Sequence, residues 1–123
     1  MVAKHRAREY ARILLASIRI LNGALALLAP AFLAQRIGVD PDASPGTLYV
    51  FRMFGVRTVL IGAELLTQSG ERRAEALRRA ILIHASDTVA AFLATRSGQF
   101  PKGGRAIVWI SALNTLLALV ANT

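Results

Sequence analysis

Between Leu48 and Leu66 the chain reads LYVFRMFGVRTVLIGAELL, a run apolar enough to lie in a bilayer that nevertheless carries Arg52, Arg57 and Glu64. An ionisable group inside an apolar span is costly unless it finds a partner or a route to water. Any fold for this chain must therefore supply partners for three charges on one helix.

The surrounding composition points to the same setting. The hydrophobic fraction is 54% and the mean hydropathy +0.48, whereas soluble domains run at roughly 45–50% even with glycine counted. At 123 residues the chain is one domain's worth. So small a domain cannot enclose that much apolar surface, which must face lipid or a partner. The formal charge of +8 raises nucleic acid as a partner. The basic residues, however, gather at the ends of apolar spans instead of forming a stripe among stacking aromatics, so nucleic acid is not expected. With no cysteine, disulfides, thiolate metal sites and thiol redox chemistry are excluded.

Taken in order, MVAKHRAREYAR is basic and gives way to an apolar run from Ile13 to Leu33, interrupted only by Ser17, Arg19 and Asn22. At about 21 residues the run is long enough to span. Ala29-Pro30-Ala31 imitates a signal-peptide cleavage site, but the run is read as a retained span. Pro30 either ends the helix or begins a short new turn, after which VDPDASPG breaks all regularity. Ser44 or Thr47 can cap the next helix, and Gln68-Ser69-Gly70 stops it. ERRAEALRR follows, with Glu75 and Arg79 in the favourable i, i+4 order, and runs into the apolar AILIHASDTVAAFLA. Phe100-Pro101-Lys102-Gly103-Gly104-Arg105 reads as a basic-rimmed turn before an uncharged last run, Ala106 to Ala121. No strand pattern is present.

These boundaries predict an all-α fold: one domain over residues 1–123, a four-helix antiparallel transmembrane bundle with helices at about 8–34, 47–68, 71–96 and 103–121. Lys4, Arg6, Arg8, Arg12, Arg72, Arg73, Arg78 and Arg79 outnumber Arg36, Arg96, Lys102 and Arg105 on the opposite ends. The positive-inside rule then places both termini in the cytoplasm of a cell with a multi-pass protein in its inner membrane.

Depth counted at about 1.5 Å per residue puts Arg57 and Asp87 near the middle of the second and third helices, which makes them the expected buried ion pair. Arg19 is expected to pair with Glu64, and Arg52 to snorkel toward the outer surface. Asn22 and Asn114 fall at the depth of Arg57 and Asp87, a polar layer with one residue per helix. The plainer reading of the asparagines and Thr115 is ordinary interhelical hydrogen bonding, and of His84 a satisfied core histidine beside Asp87. Gly55 and Gly62, with Ala90, Ala91 and Ala94 opposite, are expected to let helices approach closely. His5 is the only other histidine and lies in the basic tail, so no metal site is expected, nor any cofactor.

At RMFGVRTVLIGAELL and IHASDTVAAFLA the chain resembles small bacterial four-helix membrane proteins grouped as domains of unknown function and loosely similar to DoxX-like proteins. Their R-x-x-G-x-R-x-x-x-x-G pattern falls on Arg52, Gly55, Arg57 and Gly62, with Asp87 as the later acid of the third helix. The resemblance covers about half the chain and implies an integral membrane protein with no assigned reaction. Small multidrug transporters share the size, but their first-helix carboxylate has no counterpart beyond Glu9. No phosphate-binding loop, dinucleotide fingerprint, zinc motif or nucleophile elbow is present. The first expectation is thus a non-enzymatic accessory or scaffold protein, in contact with the lipid bilayer and with a protein partner or a second copy of itself. The alternative is a lipid or apolar-ligand carrier or proton-coupled transporter using Arg57, Asp87, His84 and Glu64. A membrane enzyme with Asp87 and His84 as general base comes third.

Overall fold

The computed structural model describes residues 1–100 and 103–123; the expected turn residues Pro101 and Lys102 lie outside the described residues. The protein is all-helical, with five helices and no strand among the described residues: α1 Val2–Leu28, α2 Pro30–Arg36, α3 Pro45–Thr67, α4 Gly70–Arg96 and α5 Gly104–Ala121. The first helix begins at Val2, earlier than expected. It ends at Ala29, because Pro30 lacks the N–H that would continue the ladder; α2 restarts with Pro30 at its first position.

Two of these helices, α1 and α5, are long and apolar enough to cross a membrane. The other long helices fall short on composition: α3 is interrupted by Arg52 and Arg57, and the first three turns of α4 carry ERRAEALRR. The helices associate mainly as two pairs, α1 with α3 and α4 with α5, joined by an α1–α5 contact. The α3–α4 seam is thinner than any of these, although only two residues separate the two helices in sequence.

The α1–α3 pair is built on backbone. A methyl group placed on Gly23 would lie 2.8 Å from Gly55 O and 2.7 Å from Val59 N; one on Gly55 would lie 2.6 Å from Gly23 O. One on Gly62 would lie 2.9 Å from Ala16 O. Both helices thus carry the same stripe in opposite senses, Ala16-Arg19-Gly23 against Gly55-Thr58-Gly62. Small residues at such spacing let helices pack closely in a membrane, where lipid removes the usual hydrophobic drive between them. Gly55 and Gly62 therefore face α1, not the alanines of α4 expected from sequence. Of those alanines Ala90 is exposed and Ala91 is buried.

Arginines close the C-terminal end of α3. The last four carbonyls of a helix have no partner within it. Arg12 Nη1 donates to Leu65 O at 2.6 Å while its Nη2 donates to Glu9 Oε2 at 2.7 Å, and Arg73 Nε donates to Gln68 O at 2.8 Å. Their positive charge also suits the negative end of the α3 dipole. Arg12 is buried, so Arg12→Gln should cost about 1.5–3 kcal/mol, the worth of a hydrogen bond to a charged group. A denaturant midpoint equal to that of the parent chain would show that this capping contributes nothing.

Candidate functional site: a polar layer across the helices

Besides Arg12 at the end of α3, one polar side chain is buried on each long helix: Arg19 on α1, Thr58 on α3, His84 on α4 and Asn114 on α5. Each lies on its helix's inward stripe. Arg19 stands between Ala16 and Gly23, and Thr58 between Gly55 and Gly62, so antiparallel packing of the two stripes brings this pair together. Arg19 Nη2 donates to Thr58 Oγ1 at 3.2 Å, and the guanidinium lies over the Phe54 ring at 5.6 Å. His84, 0% exposed, holds Nδ1 3.9 Å from Asp87 Oδ2. On the α4–α5 side the hydroxyls of Thr88 and Thr115 meet at 3.4 Å.

The layer is under-satisfied. Arg19 Nε, both ring nitrogens of His84 and both amide atoms of Asn114 are buried without a protein hydrogen-bond partner. An unmade hydrogen bond at a buried group costs about 1–3 kcal/mol. The expected ordinary bonding of Asn114 and the satisfied core histidine at position 84 are therefore not what the interior contains.

Several expected partners are different ones. Arg57 is exposed and forms no ion pair with Asp87 among the described residues. The reason is rotational: Gly55, Thr58, Gly62 and Leu65 turn toward α1, and Arg57 stands about 100° around the helix from Thr58. Nor does Arg19 reach Glu64. Six residues, about 9 Å of rise, separate Glu64 from the Thr58 level where Arg19 is held, and Glu64 pairs with Arg79 at 3.4 Å near the α3–α4 connection. Glu64 and Arg52 are exposed, and Asn22 is half-buried. Of the residues expected in a buried cluster, Arg19, His84 and Asn114 are buried, with Asp87 at its edge, its side chain 41% exposed. Thr58 is the member sequence reasoning missed. Its signal was its place between two glycines seven apart.

Chemically the layer offers one guanidinium, one carboxylate, an imidazole and an amide. No group of three or more metal-ligating side chains occurs among the described residues. Neither a family model, a curated protein nor a solved structure matches the chain. Two hollows lie away from the layer: a cleft of about 220 Å³ at the α3 carbonyl end, lined by Arg8, Glu9, Arg12 and Arg73, and a shallow apolar one on α4 beside Val89 and Leu93.

Proposed function

We propose that the chain is a multi-pass inner-membrane accessory or scaffold protein, in which α1, α3, α4 and α5 cross the bilayer as an antiparallel bundle with both termini cytoplasmic. It works by holding a partner, not by chemistry on a substrate. Since α1 is long and apolar enough to span, and α3 lies along it from Gly55 to Leu65, α3 occupies the same slab of membrane. The DoxX-like pattern at Arg52, Gly55, Arg57 and Gly62 agrees with this reading.

The observation that carries it is the outward placement of Arg52 and Arg57, neither in an ion pair among the described residues. Arg57 is the more telling. It lies level with Gly23, which packs against Gly55 and Val59, and Gly23 is the midpoint of the apolar run from Ile13 to Leu33. From there about 15 Å of hydrocarbon lies on either side, more than an arginine can span by snorkelling. An arginine at that depth costs about 2.5–3.5 kcal/mol when left in lipid. A partner that covers it removes the penalty.

Membrane fractions washed with alkaline carbonate should retain the chain. Cysteines placed in the cysteine-free sequence at Ala3 and Ala43 should label from opposite sides of the membrane. Particles extracted in mild detergent should exceed one chain in mass and fall to one chain for Arg57→Leu. Release by carbonate overturns the membrane assignment; a wild-type particle of one chain overturns the scaffold reading.

A carrier is the second reading, favoured by the unsatisfied His84 and Asn114 beside Asp87, since Asp and His together can pass protons. For that reading, His84→Leu should leave particle size unchanged and abolish proton-linked flux into proteoliposomes. Unchanged flux removes it.

A further inference from the structure

We infer that the partner is a second copy of this chain, docked on the α3–α4 face so that Arg57 of each copy meets Asp87 of the other. The inference rests on the scaffold reading and names its partner. The two residues are the mid-span charges this chain leaves open to one another. Arg57 is exposed, and the Asp87 carboxylate is 41% exposed, in no ion pair with a lysine or arginine among the described residues and with His84 Nδ1 3.9 Å away.

They stand at one depth by two independent registers. Glu64 meets Arg79 across the α3–α4 hairpin, and two turns along both helices from that contact residue 57 comes level with residue 86. Glu9 lies 3.9 Å from Arg73, a side-chain contact between helices that run parallel without packing; fourteen residues on, Gly23 is level with Asp87, and Gly23 is also level with Arg57. They also share a side of the molecule. Glu64 and Arg57 are seven apart, so both lie on the flank of α3 that meets Arg79 of α4. Asp87 stands about 100° around α4 from Thr88, which turns to α5.

A two-fold axis along the membrane normal then sets α3 of one copy against α4 of the other and repeats the contact. A residue i that meets j while j meets i is what an isologous interface requires. The thin seam between α3 and α4 leaves room for it, and the outward residues nearby on α3, Val50, Met53 and Leu60, are apolar. Arg57 against Arg57 is avoided, because α3 and α4 run in opposite senses and each arginine faces the other copy's fourth helix.

The test uses the full chain in mild detergent, with mass measured particle by particle. R57D alone and D87R alone should each be monomeric, since each places like charges across both contacts. Mixed, they should form a heterodimer, because two carboxylates in one chain face two guanidiniums in the other. The combined R57D/D87R chain should dimerise with itself. Should the charge-changed chains fail to fold, V50C and A94C in otherwise unaltered chains replace them. Val50 and Ala94 lie seven residues from Arg57 and Asp87 on the same flanks, and oxidation of the mixture should give a disulfide between the two chains. A wild type that stays monomeric in both detergent and nanodiscs, mixed variants that do not associate, or association only with a different protein overturns the inference. Chains that remain carbonate-resistant in such a result leave the membrane assignment standing, so the two failures are distinguishable.

Discussion

Gly55→Val is expected to separate α1 from α3 and to abolish the native fold. Overpacking a core ordinarily costs about 1–3 kcal/mol because displaced side chains can turn aside. At Gly55 nothing can turn: the atoms facing an added Cβ are Gly23 O at 2.6 Å, Leu27 N at 2.7 Å and Leu27 Cα at 3.1 Å, all main chain. The helices must move apart, and with them goes the contact between Arg19 and Thr58 one turn away. Even Gly55→Ala should destabilise. Its gain in helix propensity, about 1 kcal/mol, cannot offset the loss of close packing along the stripe. Gly46 provides the control. It sits in the first turn of α3 with nothing within 4 Å and a φ outside the left-handed region, so Gly46→Ala should be neutral or stabilise by up to about 1 kcal/mol. Unfolding in mixed micelles followed by circular dichroism measures all three; equal midpoints for Gly55→Val and the parent chain would sink the description of this contact.

The same stripe explains what could and could not be read from the sequence. Helix ends were legible where local chemistry decides them alone: Pro45 opens α3, and Gly70, at φ +57°, makes the turn into α4; the expected first helix over 8–34 ran through Pro30, which instead ends α1 and opens α2. Facing was harder to read. Charge drew attention to Arg57 and Asp87, which share a depth, and a short connection suggested that α3 and α4 pack tightly. Yet hairpin connectivity fixes only neighbourhood, and rotation about the helix axis is set by where backbones can approach. Ala16 and Gly23 on α1 have the spacing of Gly55 and Gly62 on α3, and that match, not the charges, selects the buried face. The inward position of Arg19 and Thr58 follows from standing between those small residues. His84 and Asn114 carry no comparable signal, since each is a lone polar residue among apolar ones.

If the stripe decides which arginine is inside, then Arg19 should matter to the stability of the single chain and Arg57 should not. Arg19→Leu removes the hydrogen bond to Thr58 and the contact with the Phe54 ring. Losing a hydrogen bond made by a charged group costs about 1.5–3 kcal/mol. Arg19→Lys keeps the charge but loses the planar group that stacks on Phe54, so it should fall between. Arg57→Leu, measured under conditions where the chain is monomeric, should not lower stability, because the side chain is exposed and in no ion pair within the described residues. Adding Thr58→Val to Arg19→Leu should cost less than the two changes summed, because the hydrogen bond between them is already gone; added to Arg57→Leu it should cost its full amount. Coupling between positions 19 and 58, and its absence between 57 and 58, is what a double-mutant cycle reads directly. The opposite pattern would mean that α3 is turned by about 100° from the orientation described, with Arg57 inward and its glycines outward.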